Sequence, residues 1–328
     1  MSTSPEPPDI SVVISTYNRA RSLPHALESL MDQDMDPHRY EVIVVDNNST
    51  DDTRAVVARF TGRQPRVTYL FEPRQGVSYG RNTGIAAATA PIIGFTDDDV
   101  RVSRTWASTI LTVLAGHPEA ACVGGRVLPH WPAPRPAWLR PENWAPLALL
   151  DYGDEPLYVN LERRLCLITA NAAYRREVFE RIGGFALHVQ AIGREVATDD
   201  HELLLRLWGA GGQGLYWPAL TVTADVAPER MRRRYHRRWH RRHGHYSALM
   251  REPDMEQTRR GRLLGVPAHR YREALTALGG WVGQLARLDG TAAFSRELEL
   301  WACYGFLTTR WAEYFSGGGK SAKRAGAS

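Results

Sequence analysis

The sequence predicts an α/β fold, a mainly parallel sheet flanked by helices, with a helical extension at the C-terminal end. Three observations predict it. Short β-branched apolar runs alternate with helix-spaced segments through roughly the first 130 residues, the pattern of repeated strand–helix units. The connections between them are short, as parallel strands joined by covering helices allow. Beyond Pro267 apolar residues recur only at helical spacing.

In chain order, residues 10–15 (ISVVIS) read as a buried strand, and Leu23, Ala26, Leu27, Leu30 and Met31 follow at helical spacing behind the cap residue Ser22. Residues 41–46 (EVIVVD) repeat the strand. Ser49, Thr50, Asp51 and Asp52 then offer a cap and first-turn acids for a helix reaching Phe60. A strand over 67–71, a helix over 78–88, a strand over 92–96, a helix over 105–114 and a strand over 121–127 complete the series. Residues 128–146 hold six prolines and three tryptophans (Trp131, Trp138, Trp144), which no regular helix accepts, so an ordered surface loop is expected within 128–160. A strand over 165–173, a helix over 176–182 closed by Gly183 and Gly184, a helix over 199–208 striped by Leu203, Leu204 and Leu207, and a short strand over 214–217 come next. Leu275, Leu278, Trp281, Val282, Leu285 and Leu288, then Leu298, Leu300, Trp301, Tyr304, Phe306 and Leu307, indicate two final helices. The expected organisation is a flexible N-terminus (1–9), an α/β domain (10–228), a helical region with a basic amphipathic helix (229–316) and a disordered tail (317–328).

Composition narrows the function classes. At 328 residues, 43% hydrophobic and 23% charged, the chain is globular in character. No apolar run is long enough to span a bilayer, and the proline-rich, acidic start lacks the basic and apolar regions of a signal peptide, so a cytoplasmic location is expected. Cys122, Cys166 and Cys303 lie far apart, without metal-ligand or disulfide spacing. The net charge of +5 is uneven: residues 230–243 carry eight arginines, three histidines and no acid.

In parallel sheets ligands sit beyond the carboxyl ends of the strands, and those ends are polar here: Ser15-Thr16-Tyr17-Asn18, Asp46-Asn47-Asn48-Ser49 and Thr96-Asp97-Asp98-Asp99. Carboxylates at i and i+2, such as Asp97 and Asp99, offer hard oxygen ligands to a divalent cation while leaving room for diphosphate and water. Asp46 can accept from a nucleobase N–H or cap the turn that follows it. Gly76, Gly80 and Gly84 with Arg81 and Asn82 form a loop-to-helix passage where backbone and guanidinium can approach phosphate, although the spacing is not a dinucleotide fingerprint. Asp199 and Asp200 are either catalytic acids or first-turn residues complementing a helix dipole.

The order of these motifs resembles the inverting glycosyltransferases of family 2, with the GT-A fold. The resemblance rests on Ser15 to Arg19, the Val44-Val45-Asp46-Asn47-Asn48-Ser49-Thr50-Asp51 block, Gly76 to Asn82 with Gly84, Phe95 to Asp99, Ala170-Asn171 with Arg175-Arg176, Gly183-Gly184-Phe185, and Asp199-Asp200 with Glu202, Leu203 and Arg206. It implies a Rossmann-like GT-A sheet and transfer of a sugar from a UDP- or dTDP-linked donor to an acceptor hydroxyl with inversion. By the same resemblance Ser15, Thr16, Tyr17, Asp46, Gly76, Arg81, Asp97 and Asp98 would bind the nucleotide sugar, and Asp97 and Asp99 would hold Mg²⁺ or Mn²⁺. Asp200 would be the catalytic base, with Asn171, Asp199 and Trp138 on the acceptor side beside the 128–160 loop. The usual Glu-Asp acceptor motif is Asp199-Asp200 here. Ala224 stands where many relatives have a histidine, so either Asp225 next to it substitutes as a ligand or the cation is held less tightly.

Met231, Tyr235, Trp239 and Tyr246 fall near one helical face amid arginines. Packing on the protein is the first reading of that face. Peripheral contact with an anionic membrane at its inner face, or with a lipid-diphosphate acceptor, is the second. Two competing functions have distinct signatures. A sugar-nucleotide pyrophosphorylase would begin with a glycine-rich segment and a catalytic lysine, which are missing. A nucleic-acid-binding module would rest on the arginine-rich helix alone, without an RNA-binding aromatic motif or zinc finger.

Overall fold

The computed structural model describes residues 7–188, 199–251 and 261–318. Residues 1–6 of the expected flexible N-terminus and 319–328 of the expected tail lie outside them. The chain divides into two compact units, one comprising the chain up to Pro132 with Ala148–Val226, the other Ala133–Leu147 with the chain from Ala227 onward.

The first unit is an α/β layered body around one nine-stranded sheet. Its strands are β1 (Ile10–Thr16), β2 (Tyr40–Asp46), β3 (Arg66–Phe71), β4 (Ile92–Thr96), β5 (Val100–Val102), β6 (Cys122–His130), β7 (Leu157–Val159), β8 (Asn171–Arg175) and β9 (Gly214–Asp225). The helices are α1 (Leu23–Met31), α2 (Thr53–Ala58), α3 (Val77–Ala87), α4 (Trp106–Gly116), α5 (Arg176–Ile182) and α6 (Asp199–Gly209). The strand order is β3-β2-β1-β4-β8-β6-β9-β5, with β7 pairing β9. β1, β2, β3 and β4 are mutually parallel, and β2 is buried along its whole length, as expected of strands covered on both faces. β8 runs antiparallel between β4 and β6, an insertion that apolar patterning does not reveal because both orientations bury the same residues.

Two strands differ from expectation for identifiable reasons. β8 begins at Asn171 instead of 165, because Leu167 is buried from a loop without joining the ladder. β9 runs on to Asp225 instead of stopping at Trp217. Pro218 reads as a strand end, but the register shift between Gly124 and Arg126 of β6 lets pairing resume at Thr221. Leu220, Val222 and Ala224 then alternate into the core.

The second unit contains α7 (Arg233–Met250), α8 (Ala268–Ala286) and α9 (Gly290–Glu313), with a small hairpin, β10 (Arg262–Leu263) and β11 (Val266–Pro267). α7 and α9 meet closely at Gly244 and Gly305. A Cβ on Gly244 would sit 1.9 Å from the Ala302 carbonyl oxygen, and one on Gly305 would sit 1.8 Å from that of Arg241. Ala248, Val266 and Phe306 form a buried cluster capped by Tyr271, Leu307 and Trp311. Met231 and Tyr246 are buried and the Tyr235 hydroxyl donates to the Pro146 carbonyl (3.2 Å), so much of the apolar face of the basic helix packs within its own unit. The middle of the 128–160 segment also belongs here: Trp138 lies edge-on to His236 (4.8 Å) and Phe294 (4.9 Å).

Candidate active site

β1, β2 and β4 end on one edge of the sheet, where Thr16 sits opposite Asp46 and Thr96 leads into the acidic triplet. Side chains of the loops lock this edge. The Asn18 amide donates to Ser49 Oγ (2.9 Å), the Thr50 amide to Asn18 Oδ1 (2.8 Å) and the Ala20 amide to Asp51 Oδ2 (3.0 Å), tying the β1 loop to the β2 loop. Asn18 (φ 52°) and Asn48 (φ 67°) supply the left-handed backbone that these turns need, a conformation asparagine tolerates. Ser15 is half-buried under Gly80, Thr16 is buried, and the Tyr17 ring is 45% exposed. Asp46 is buried; its Oδ1 accepts from the Ser49 amide (2.9 Å) and its Oδ2 from the Tyr69 hydroxyl (2.8 Å). The turn-capping reading of Asp46 is therefore realised. Burial first, then this bond, pushes the Tyr69 phenol up to about 12, so it stays a donor.

Gly76 precedes α3 with φ 140°, open only to glycine at low strain, and its amide donates to Asn47 Oδ1 (2.5 Å). Asn47 Nδ2 also donates to the Arg74 carbonyl (2.6 Å), so this one side chain shapes the whole approach to α3.

At the centre lies a buried charge cluster. Arg81 of α3 donates through Nη1 to Asp199 Oδ2 (2.7 Å) and to Asp200 Oδ1 (3.4 Å), and its Nη2 lies 3.6 Å from Asp97 Oδ1. Ser78 also donates to Asp199 Oδ2 (2.9 Å), and Thr169 to Asp200 Oδ1 (2.8 Å). The guanidinium lies 5.3 Å over the Phe185 ring. Phe185 is held by Asn82, which donates to its carbonyl (2.9 Å) and accepts from its amide (2.8 Å). Three carboxylates share one cation. Burial raises the Asp200 carboxyl to about 6, with Asp199 and Asp97 adding repulsion while Arg81 and Thr169 oppose it. Asp200 remains 21% exposed, whereas Asp199 is 0% exposed.

In the triplet between β4 and β5, Asp97 and Asp99 reach solvent with side chains 36% and 20% exposed, while Asp98 turns inward. Arg19 approaches Asp98 (3.8 Å) and Asp99 (3.9 Å). Burial, followed by repulsion from Asp99, pushes the Asp98 carboxyl up to about 7 against the lowering influence of the Thr16 hydroxyl and Arg19. Among the described residues no group of three His, Cys, Asp or Glu side chains is arranged to hold a metal. The donor chemistry of Asp97 and Asp99 still suits a hard cation completed by diphosphate and water oxygens.

Several expected residues have other duties. Asn171 is buried with its amide fully engaged: Oδ1 accepts from Trp106 Nε1 (2.8 Å), and Nδ2 donates to the Arg126 (2.8 Å) and Leu220 (2.9 Å) carbonyls. It joins β8 to β6 and β9 and presents nothing to an acceptor. Asp199, fully buried, buttresses Arg81. Arg81, committed to carboxylates, does not stand ready for a diphosphate. Trp138 spends its ring on packing in the second unit. Asp98 is an interior carboxyl beneath Arg19. Asp225 does not stand free as a metal ligand, because it takes a two-pronged bond from Arg101 (2.8 and 2.9 Å) and pairs with His130 Nδ1 (2.8 Å). Thr169, Ser78, Asn47, Arg19 and His130 were not singled out from sequence. Asn47, Arg19 and Ser78 lay inside recognised motifs, whereas Thr169 and His130 did not, and a lone Thr or Ser carries no signal of its partner.

The sequence profile described as Glycosyl transferase family 2 matches residues 11–183. A glucosyl-dolichyl phosphate glucuronosyltransferase of Haloferax volcanii is 28% identical over 207 residues, 62% of this chain and 64% of that relative. The succinoglycan biosynthesis protein ExoM of Rhizobium meliloti is 28% identical over 268 residues, 81% of this chain and 78% of its own. Among solved structures, a mannosyltransferase of Pyrobaculum calidifontis in complex with GDP-Man and Mn²⁺ has the same fold, with a TM-score of 0.62 at 19% identity over 95% of this chain and 90% of that one.

Proposed function

The chain belongs to glycosyl transferase family 2, and from that premise we propose that it moves a sugar from a UDP- or dTDP-linked donor to an acceptor hydroxyl by a single inverting displacement, with Asp200 as the base. The observation that carries this reading is the cluster in which Arg81, Asp97, Asp199 and Asp200, from three separate segments, meet with one carboxyl poised near neutrality.

The chemistry follows from that cluster. Asp200, ionised above its raised pKa and partly open to solvent, takes the proton of the acceptor hydroxyl. The oxygen attacks the anomeric carbon from the face opposite the nucleotide, the bond to the diphosphate breaks, and the configuration inverts. Thr169 fixes the Asp200 carboxylate by its hydrogen bond, and Arg81 keeps it ionisable despite its acidic neighbours. Tyr17, 45% exposed beside the buried Thr16 and Asp46, suits contact with a nucleobase or ribose. Mg²⁺ or Mn²⁺, held by Asp97 and Asp99, would supply positive charge against the departing diphosphate.

A panel of UDP-, dTDP- and GDP-sugars incubated with the protein and Mn²⁺ tests the reading by release of free sugar and nucleoside diphosphate. Hydrolysis of a uridine- or thymidine-linked donor supports it. Conversion of a donor and added pyrophosphate to nucleoside triphosphate and sugar 1-phosphate without free sugar, or turnover of none of the donors, contradicts it.

A further inference from the structure

α8 carries an apolar face that no described residue of its unit covers. Ala277 is buried, and Gly280 faces Arg296 of α9, so that side of the helix is packed. On another side Leu275, Leu278, Val282 and Leu285 recur at i, i+3, i+7 and i+10, and they are 68, 43, 53 and 46% exposed. The stretch 274–286 (ALTALGGWVGQLA) contains no charged residue, and Leu288, beyond it, is 93% exposed. A solvent-facing helix surface ordinarily carries polar side chains, so a stripe of four aliphatics over three turns marks a surface that meets something apolar.

Charge selects the occupant. The second unit holds 22 of the chain's 41 lysines and arginines but only 10 of its 36 aspartates and glutamates. Arg232, Arg233, Arg234, Arg238 and Arg241 are exposed on and beside α7, and exposed Arg272 and Arg287 bracket the uncharged stretch of α8. A second copy docking through this same unit would bring an equal positive surplus and be repelled. A nucleic acid would answer the charge but leave the aliphatic stripe in water. A lipid surface with anionic headgroups answers both features.

We propose that α8 lies in the interface of an anionic membrane, with Leu275, Leu278, Val282 and Leu285 in the acyl boundary and Arg272 and Arg287, at the ends of its uncharged stretch in a strongly basic unit, drawn to lipid phosphates. No helix among the described residues is long and apolar enough to cross a membrane, so the contact is peripheral. It goes beyond the transfer reaction and does not rest on it.

Flotation of the full chain with vesicles of phosphatidylcholine alone, and of phosphatidylcholine mixed with phosphatidylglycerol, tests it. The protein floats with the mixed vesicles, less at high salt, and not with phosphatidylcholine alone. Leu278→Gln and Val282→Gln, both at exposed positions and checked for unchanged circular dichroism, each lower the bound fraction roughly tenfold. The double variant Arg272→Gln/Arg287→Gln, which leaves the stripe intact, also weakens binding to the mixed vesicles. Failure of the unaltered protein to float, flotation of the variants equal to it, or a lipid-free dimer abolished by Leu278→Gln would each overturn the proposal. So would binding to single-stranded DNA in place of the vesicles.

Discussion

Asp200 owes its raised pKa to where it sits, and the pH dependence of both activity and stability follows from that. Catalysis needs the ionised form, so kcat/KM for transfer climbs as pH rises through about 6 and levels off above it. A flat profile between pH 5 and 8 would deny Asp200 the role of base. Stability runs the other way. The folded state holds this proton more tightly than the unfolded chain, whose carboxyl titrates near ~3.9. That stabilising contribution is whole below the unfolded value and is lost as pH rises through about 6. Asp200→Asn should therefore be more stable than the unaltered protein at pH 7.5, by roughly 1–3 kcal/mol in chemical denaturation, with the gain vanishing near pH 4. Thr169 acts through Asp200. Because its hydroxyl bond favours the ionised carboxylate, Thr169→Val should shift the acid limb of the profile upward by about one pH unit. A fall in rate with no shift in the limb would mean that Thr169 only packs. Such pairs are illegible in sequence: Asp200 came from a motif, but Thr169 looked like one residue of a strand.

Elements bring these residues together, and the energetics of α3 meeting α6 rest on Arg81. Its guanidinium is 9% exposed and answers three carboxylates, so Arg81→Met would leave Asp199 buried without its cation. That change should cost about 3–5 kcal/mol and lower Tm sharply; Tm within a degree or so of the unaltered protein would show that the cluster is solvated and weak. In the second unit, Gly244→Ala forces a methyl onto the Ala302 carbonyl and should destabilise α7 against α9 by about 1–3 kcal/mol, read by denaturant unfolding. The strand–helix alternation from β1 to α4 was legible because apolar period and turn residues coincide there. β8 and the long β9 were not. An antiparallel insertion and a bulge around Pro218 are tertiary choices, made by Asn171 bridging β8 to β6 and β9 and by Gly125, which packs against the Leu220 carbonyl. The aromatic signal of Trp138 was legible as burial or stacking, and its neighbours decided for burial.

Across the whole molecule charge is segregated. The first unit carries 26 of the 36 acids against 19 of the 41 basic residues, so the unit proposed to bind an anionic diphosphate is itself acidic. With Arg81 committed to carboxylates, a divalent cation on Asp97 and Asp99 is the natural counter-charge. EDTA should weaken UDP binding by about tenfold or more in calorimetric titration, with recovery on adding Mn²⁺; equal affinity with and without metal would refute that role. The motifs made the acidic edge legible. The neutralisation of Arg81 was not legible, because it depends on distances between segments more than a hundred residues apart. The most direct test of the central claim compares Asp200→Asn with the unaltered protein for UDP affinity and for sugar transfer or donor hydrolysis in the same buffer. The account predicts UDP affinity within about threefold and a rate lower by about 10²–10⁴. Undiminished turnover by the variant would contradict it.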